Sequence, residues 1–399
     1  MTRRPFRKFV KDFMLVAGIG LACLGTFNIV IDPHRTFNFR NTPALDACKT
    51  ARGGRIAKAE QLRHGPWDIV ILGNSRVDAG IDPANPAWPS RRVFNCGLTG
   101  LNFIEEAKVF EFLETVTHPN TVVVCVDFFH FQDGAAVADE FHFSRFNLER
   151  SAPAHYLDAL WGATPTWHSI LTLSNYFGGK SHDYSDLGLR IKPMAPPDRS
   201  GRSAFEAYVG HAIETWHHQG AWPGNQQCFK RFEEMLRLAA DRRTRLIVVM
   251  LPVHALDLEM IRCQLGDPAP IQDWKRGLFA ALAAFRRDRP GAKAVPLWDF
   301  TGYRGYPADP VPPRGDPHPM TWYWEPSHFR KELGDLLICR ILNQPAPDGR
   351  DITDFGALLD ETNIEAHLSR LQADREQFAR QFAGEIELIE TRVRAAGKR

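Results

Sequence analysis

The sequence predicts an α/β fold built on a doubly wound, mostly parallel β-sheet, and three features favour this class. Short apolar runs alternate with segments of helical periodicity, as in a sheet whose strands are joined by helices. The strands are apolar throughout, as in TVVVCV at residues 121–126, and such strands suit a sheet covered on both faces. Polar or reactive residues directly follow several strands, and ligands collect at the carboxyl ends of strands in α/β sheets.

The predicted α/β domain extends over about residues 65–345. Its first helix is recognised by the helical spacing of Phe103, Ala107 and Phe110 among charged residues. The predicted strands are 68–72, 92–96, 121–126, 246–251 and 294–298, and the predicted helices are 102–117, 226–241, 271–288 and 329–343, the last of which would close the sheet.

Two further segments break this alternation. Residues 133–225 are rich in Trp, His, Tyr, Gly and Pro, which predicts an irregular insertion or cap rather than a second domain. Four tryptophans within it are candidates for a sugar-stacking wall or for core packing: Trp161, Trp167, Trp216 and Trp222. Residues 357–397 predict an amphipathic helix or helical hairpin that packs on its own domain or on a partner.

The amino terminus predicts a single membrane-spanning helix. Residues 13–31 carry no charge and would form a helix about 28 Å long, close to the roughly 30 Å hydrocarbon core. The preceding tail, residues 1–12, is basic, so the positive-inside rule places the amino terminus in the cytoplasm and the main domain outside it. A cleaved signal peptide and a buried core helix are the alternatives, although no small-x-small cleavage site closes the run.

The composition argues against several classes of protein. The 49 Lys+Arg and 47 Asp+Glu give a formal net charge of +2, whereas a nucleic-acid binder shows a clear basic excess. Seven cysteines in 399 residues are too few for a disulfide scaffold. The histidines lack a convincing zinc spacing and no phosphate-binding glycine loop follows a strand, so no metal or other cofactor is expected.

The candidate catalytic residues stand at the ends of predicted elements. Ser75 follows a strand in the turn Gly-Asn-Ser-Arg, where a strand-to-helix turn can expose its hydroxyl. Glu325 and His328 stand in Glu-Pro-Ser-His, just before a helix. A histidine can remove the serine proton while a nearby carboxylate holds the imidazole in one tautomer. Each residue also has a structural alternative: Ser75 or His328 as a helix cap, and Glu325 as a solvated loop acid.

Two more residues at this edge of the sheet are candidates for substrate contact. Arg76 would bind an anionic substrate group, or alternatively pair with Asp78 or another acid. His254 follows the strand 246–251 and is a candidate for lining the cleft.

These sequence blocks resemble those of the SGNH (GDSL-like) hydrolase superfamily, especially its membrane-anchored bacterial members related to alginate-type polysaccharide O-acetyltransferases. The resemblance implies an SGNH-like fold with Ser75 as nucleophile, His328 as base and Glu325 in place of the usual Asp. Gly100, in Asn-Cys-Gly-Leu-Thr-Gly, matches the block whose glycine N–H contributes to the oxyanion hole.

Asp127 departs from the superfamily pattern, in which Gly-x-Asn normally follows this strand. An ionised Asp127 cannot donate a hydrogen bond to an oxyanion, and Asn74, Asn102 or a residue of the cap are the candidates to compensate. We expect the carboxylate to turn away from the oxyanion or to stay protonated as a donor. A nearby arginine such as Arg76 would instead keep it ionised and make it a structural or substrate-positioning group.

The resemblance implies acyl-ester chemistry at a bacterial inner membrane, with the main domain in the periplasm. The enzyme would be a serine-dependent hydrolase or O-acyl (acetyl) transferase, with an acyl donor and a cell-envelope polysaccharide acceptor as partners. The alternative is a catalytically silent protein that binds glycan or scaffolds a membrane acyltransferase partner. Asp127 separates the two, because losing one oxyanion donor typically costs roughly 100- to 1,000-fold in rate.

Overall fold

The computed structural model describes residues 3–38, 43–181, 183–194, 201–219, 224–267 and 269–397. These residues belong to two compact units, each of which combines two stretches of the chain. The first unit contains Met1–Gly65 and Ala138–Ser185, and the second contains Pro66–Val137 and Asp186–Arg399. Trp222 and the side chain of Trp216, two of the four candidate stacking tryptophans, lie outside the described residues.

The second unit is built on a six-stranded, mostly parallel sheet, which confirms the α/β class. The strand order is β2-β1-β3-β4-β5-β8, in which only the edge strand β8 runs antiparallel to its neighbour. A separate antiparallel ribbon pairs β6 with β7. The strands are β1 Ile69–Gly73, β2 Val93–Gly97, β3 Thr121–Val126, β4 Arg245–Met250, β5 Leu297–Asp299, β6 Tyr323–Glu325, β7 His328–Phe329 and β8 Ala357–Leu359.

Fifteen α-helices connect or flank these strands within the described residues. They are α1 Arg3–Ile31, α2 Pro43–Asp46, α3 Arg55–His64, α4 Ser75–Gly80, α5 Phe103–Phe112, α6 Asp139–Phe143, α7 Ala152–Trp161, α8 Ala163–Phe177, α9 Gly201–Gln219, α10 Gln226–Arg242, α11 Ala255–Leu265, α12 Ala269–Asp288, α13 Lys331–Ile341, α14 Ile364–Gln381 and α15 Ala383–Ala396.

The sheet forms where the sequence predicts it because its strands are buried and largely aliphatic. Every residue of β1 is buried, as is every residue of β3 after Thr121, so both faces are covered. The chain passes from β1 to one neighbour, β2, and then returns to the other, β3. The order therefore reverses between β1 and β3, and the carboxyl ends of these two strands border a topological switch point.

Most of the described part of the insertion is helical, so the prediction of an irregular segment at 133–225 was wrong for these stretches, whereas residues 178–181 and 183–194 are irregular. It contains α6, α7 and α8 in the first unit and α9 in the second. Helices α7 and α8 pack against α1, so their exposed and buried positions depend on a partner helix distant in sequence. Trp161 illustrates this, because its indole N–H donates to the Leu21 carbonyl of α1 at 2.9 Å.

The carboxyl-terminal segment forms an edge strand and two helices that pack on the second unit itself. Strand β8 completes the sheet beside β5, whereas the sequence predicted that the helix 329–343 would close it. Arg375 in α14 binds Glu259 of α11, at 2.7 Å for the closer nitrogen, and Phe378 stacks on Phe382. The apolar stripe of this tail is therefore covered by its own unit.

One helix among the described residues is long and apolar enough to cross a membrane. It is the segment Phe6–Ile31 of α1, which has 26 residues, most of them exposed. A soluble core helix would bury its apolar side chains, whereas Phe13, Leu15 and Val16 are each more than half exposed.

Candidate active site

Ser75 lies at the start of α4, directly beyond the carboxyl end of β1 at the switch point. Asn74, rather than Ser75, caps this helix, because the Asn74 side chain accepts the Arg76 N–H at 3.0 Å. Gly73 makes the turn possible: its φ is +151°, and an added Cβ would come within 2.5 Å of the Val77 side chain. The Ser75 hydroxyl is therefore not used as a cap.

His328 and Glu325 are brought to Ser75 by the ribbon of β6 and β7. His328 Nε2 lies 2.7 Å from Ser75 Oγ, and His328 Nδ1 is hydrogen-bonded to the Glu325 carboxylate. With the Nδ1 proton donated to this carboxylate, Nε2 is left to accept the serine proton. Glu325 also accepts the Ser327 N–H at 2.8 Å, which fixes the carboxylate against its own turn.

The predicted convergence of these three residues is confirmed geometrically. The side chains of His328 and Glu325 are 16% and 12% exposed, so Glu325 is not a solvated loop acid. His328 lies in β7, and Arg330 holds the cap position of α13, so His328 is not the helix cap either. Although 253 residues separate Ser75 from His328, the arrangement is that of a nucleophile, a base and an orienting carboxylate.

Arg76 is a buried clamp that ties the turn that carries Ser75 to the turn that carries His328. Its Nε donates to the Ser327 carbonyl and its Nη2 to the Ser327 hydroxyl, each at 2.8 Å. Its Nη1 is paired with Asp127, and its Nη2 lies 3.4 Å from Asp257. The guanidinium is thus committed to protein groups, which favours the ion-pair interpretation of Arg76 over direct contact with an anionic substrate.

Asp127 is bound as a carboxylate and faces hydrogen-bond donors with both oxygens. One oxygen accepts from Arg76 and from the Asn74 amide, and the other accepts the His130 N–H at 3.0 Å. Burial alone would raise the pKa of Asp127, but the Arg76 charge holds it below its usual range. The expectation of a protonated donor is therefore wrong, and the arginine-paired alternative describes this residue.

The two asparagines expected to compensate for Asp127 are engaged elsewhere. The Asn74 amide N–H group donates to Asp127. Asn102 caps α5 by accepting the Glu105 N–H at 3.0 Å and donates to the Ala136 carbonyl at 2.8 Å. Each side chain therefore has one amide N–H bound to a protein acceptor, which ties both asparagines to neighbouring elements.

Gly100 remains the candidate donor, and the backbone holds its loop beside β1. The Leu98 N–H donates to the Gly73 carbonyl at 2.9 Å, which ties the turn after β2 to the residue that precedes Asn74. Gly100 has φ +68° within this turn, and it is exposed, with open space where a Cβ would lie. This position leaves room for a substrate group beside the Gly100 backbone.

Sequence reasoning missed Asp257 and Tyr208, which complete the Arg76 cluster from α11 and α9. The Tyr208 hydroxyl donates to Asp257 at 2.8 Å. Burial raises the pKa of Asp257 to about 6, although Arg76 opposes the shift. Asp257 lies three residues beyond His254 after β4, and that strand-end position was the only sequence signal that could have identified it.

His254 is a structural residue, so its interpretation as a cleft-lining group was wrong. It is fully buried and caps α11: Nδ1 accepts the Leu256 N–H at 3.1 Å, and Nε2 donates to the Asp309 carbonyl at 2.6 Å. These two bonds require a neutral imidazole. The His254 backbone N–H also donates to the Pro326 carbonyl at 3.0 Å, between Glu325 and Ser327.

The neutral state of His254 predicts a pH dependence of stability. Burial lowers the pKa of His254 to about 4, whereas an unfolded histidine titrates near 6.5. The unfolded chain therefore binds the extra proton first, and stability falls as the pH is lowered from about 6.5 to about 4. We expect His254→Asn, which can still cap α11 but does not titrate, to show a smaller fall in denaturant midpoint across that interval. Equal falls in the two proteins would contradict the assignment.

Comparisons with known proteins add no relative to this picture: no family model matches the sequence, and no curated protein matches it. A function can therefore be inferred only from the geometry of the site. That geometry supplies a positioned hydroxyl, a base, a carboxylate that orients the base, and a charged clamp that holds the turns together.

Proposed function

We propose that this protein is a membrane-anchored, serine-dependent acyl-ester hydrolase or O-acyl (acetyl) transferase. The observation that carries the proposal is the 2.7 Å contact of Ser75 Oγ with His328 Nε2, on a histidine whose other nitrogen is bound to Glu325. If Ser75, His328 and Glu325 each had only a structural role, nothing would require their side chains to meet in the order nucleophile, base and carboxylate.

The chemistry follows from the protonation states of this pair. Ser75 Oγ attacks the ester carbonyl while its proton passes to His328 Nε2, and Glu325 stabilises the resulting imidazolium. Collapse of the tetrahedral species breaks the ester C–O bond, and His328 returns the proton to the departing alcohol. Water or a sugar hydroxyl then attacks the acyl-serine by the same route, which gives hydrolysis or transfer respectively.

Two features support the SGNH-like assignment in addition to the three side chains. Ser75 and Asp127 follow β1 and β3, the strands that border the switch point, where α/β sheets bind their ligands. The exposed Gly100 turn is tied to the end of β1, and we assign the Gly100 N–H as an oxyanion donor. Arg76 and Asp127 then serve as positioning residues, in place of the asparagine usual after β3.

The proposed location is the bacterial inner membrane, with the main domain in the periplasm. Helix α1 supports an uncleaved anchor, and the basic residues before the apolar run favour a cytoplasmic amino terminus. A polysaccharide of the cell envelope, reached from that side, is the proposed acyl acceptor or donor.

The test is hydrolysis of 4-nitrophenyl acetate by the full-length protein in detergent, together with labelling by a fluorophosphonate probe. We expect both with the wild type and neither with Ser75→Ala, because the hydroxyl is the only group exchanged. Adding an oligosaccharide acceptor separates the two reactions, since a transferase forms acetylated sugar at the expense of acetate. A wild type inert to ester and probe alike would favour the silent glycan-binding or scaffold protein instead.

A further inference from the structure

Helices α7 and α8 form an apolar hairpin that packs on the second half of α1. Each helix is too short to span a bilayer, because α8, the longer one, has 15 residues where about 20 are needed. Residues 152–177 contain a single formal charge, on Asp158, and Arg150 neutralises it in an ion pair. The hairpin is therefore unusually apolar for the surface of a water-soluble protein.

The hairpin exposes large apolar groups. Trp167 is 58% exposed and Phe177 is 82% exposed. Trp167, Ile170 and Phe177 recur at helical intervals and so share one face of α8. With Leu157, Trp161 and Tyr176 they make up the hairpin patch, which exceeds the scattered single apolar residues normal on a soluble surface.

The turn of the hairpin lies beside the last three turns of α1, so the patch continues the exposed apolar surface of that helix. Trp161 donates to the Leu21 carbonyl, and a Cβ on Gly25 would lie 3.2 Å from the Trp161 indole nitrogen. Gly25 precedes Ile31 by six residues, which corresponds to about 9 Å along the helix axis. Amphipathic helices at a bilayer surface typically reach about 5–10 Å below it.

Asn28, a polar residue within the predicted span, holds the turn in place. Its amide donates to the Leu160 carbonyl and to the Thr166 hydroxyl, and its oxygen accepts from Ser169, each at 2.9 Å. The Leu160 carbonyl belongs to the end of α7, where helices leave backbone groups without partners. Such groups are costly in hydrocarbon, so the contact makes this turn compatible with a lipid environment.

The backbone N–H and carbonyl of Gly162, which links the two helices, are also hydrogen-bonded within the hairpin. Its N–H donates to the Asp158 carbonyl at 2.7 Å, and its carbonyl accepts the Thr166 hydroxyl at 2.8 Å. Internal hydrogen bonds thus close the turn between the two helices.

We propose that the hairpin dips into the outer half of the bilayer beside α1, with the hairpin patch in contact with lipid acyl chains. The inference rests on the membrane span proposed for α1. It gives the first unit a second membrane contact, which would limit rotation and tilting of the unit about a single helix. The tryptophans of this segment then serve the membrane contact rather than a sugar-stacking wall.

Photocrosslinking of the full-length protein in vesicles tests the contact. The vesicles contain phosphatidylethanolamine, phosphatidylglycerol and a trace of phosphatidylcholine with an alkyne-tagged acyl chain. The photoreactive residue p-benzoylphenylalanine replaces Trp167, with Val16 in α1 as the lipid-facing control and the exposed Glu149 as the aqueous control. We expect tagged lipid on the Trp167 and Val16 variants but not on the Glu149 variant.

The outcomes separate the hairpin from the anchor. Lipid adduct at Val16 without adduct at Trp167 would overturn the proposal while leaving the span of α1 intact. Absence of adduct at Val16 would overturn the span itself. In an Asn28→Leu background, which keeps α1 apolar but removes the bonds to the turn, we expect adduct at Trp167 to fall and adduct at Val16 to persist. An unchanged yield at Trp167 would overturn the role of Asn28.

Discussion

Replacing either Ser75 or His328 by alanine is expected to lower kcat for acetyl-ester hydrolysis by about 10⁴-fold or more, and replacing both is expected to cost no more than either single change. The reason is that the two side chains share one proton at a 2.7 Å contact. A serine without its base and a base without its serine are equally unable to carry out the attack, so their losses do not multiply.

A matched serine substitution controls for general effects. Ser90→Ala removes a hydroxyl that donates to Asp68 at 2.6 Å before β2, at the opposite end of the strands from Ser75. It should leave kcat unchanged. If the double variant instead loses the product of the two single losses, Ser75 and His328 act independently. The proposed mechanism would then fail even though each residue is needed.

The convergence of Ser75, Glu325 and His328 was predictable because each residue is marked locally in the sequence. Ser75 follows a solid apolar strand and a glycine, and Glu325 and His328 stand within four residues of each other before a helix. Once the sheet is parallel, strands with such ends deliver their residues to one edge without further information. The same logic recovered five strands, because burial on both faces leaves a continuous aliphatic run.

The network around Arg76 was not predictable in this way. The sequence predicts an ion pair of Arg76 with the nearby Asp78 or with another acid. The acids that contact Arg76 are Asp127 and Asp257, which are 51 and 181 residues away. Side-chain pairing across the switch point depends on which turns meet, and no local pattern encodes it. Strand β8 was not predicted for a related reason: three residues are too few to show the periodicity of an edge strand.

The helices of the insertion were missed because α7 and α8 pack on α1, a helix that is distant in sequence. Helices α7 and α8 turn one side toward α1 and expose apolar residues on another, so no polar face marks the pattern. Proline and glycine in this segment then outweighed the helical signal. Asn28 is a lone polar side chain in an uncharged run, and no local pattern marks its three partners, which lie 132 to 141 residues away.

Replacing Asp127 by asparagine is expected to damage both stability and activity, rather than to restore a superfamily-like oxyanion donor. Both carboxylate oxygens face donors: Arg76 and Asn74 on one, the His130 N–H on the other. Whichever way an asparagine amide is flipped at this position, its NH₂ group faces one of these donors. The exchange also leaves Arg76 without its closest counter-charge. We expect the free energy of unfolding to fall by about 3 kcal/mol.

The expected loss of activity follows from the position of Arg76, which holds the Ser327 carbonyl directly before His328. A shift of about 1 Å in a catalytic side chain costs about 100-fold, and we expect a fall of that order in kcat. Urea unfolding and ester hydrolysis measure the two effects. If Asp127→Asn hydrolyses the ester as fast as the wild type or faster, the carboxylate has no positioning role and the site merely lacks a donor.

Asp257→Asn is the matched comparison, because the same exchange occurs on the other side of the same guanidinium. Asp257 lies 3.4 Å from Arg76, and burial already disfavours its charge, with a pKa of about 6. An asparagine there can still accept from Tyr208, and Arg76 keeps Asp127 as its partner. Asp257→Asn should therefore destabilise the protein less than Asp127→Asn at pH 7. The reverse order would mean that Asp257 carries the counter-charge and that the ion pair of Arg76 with Asp127 contributes little to the site.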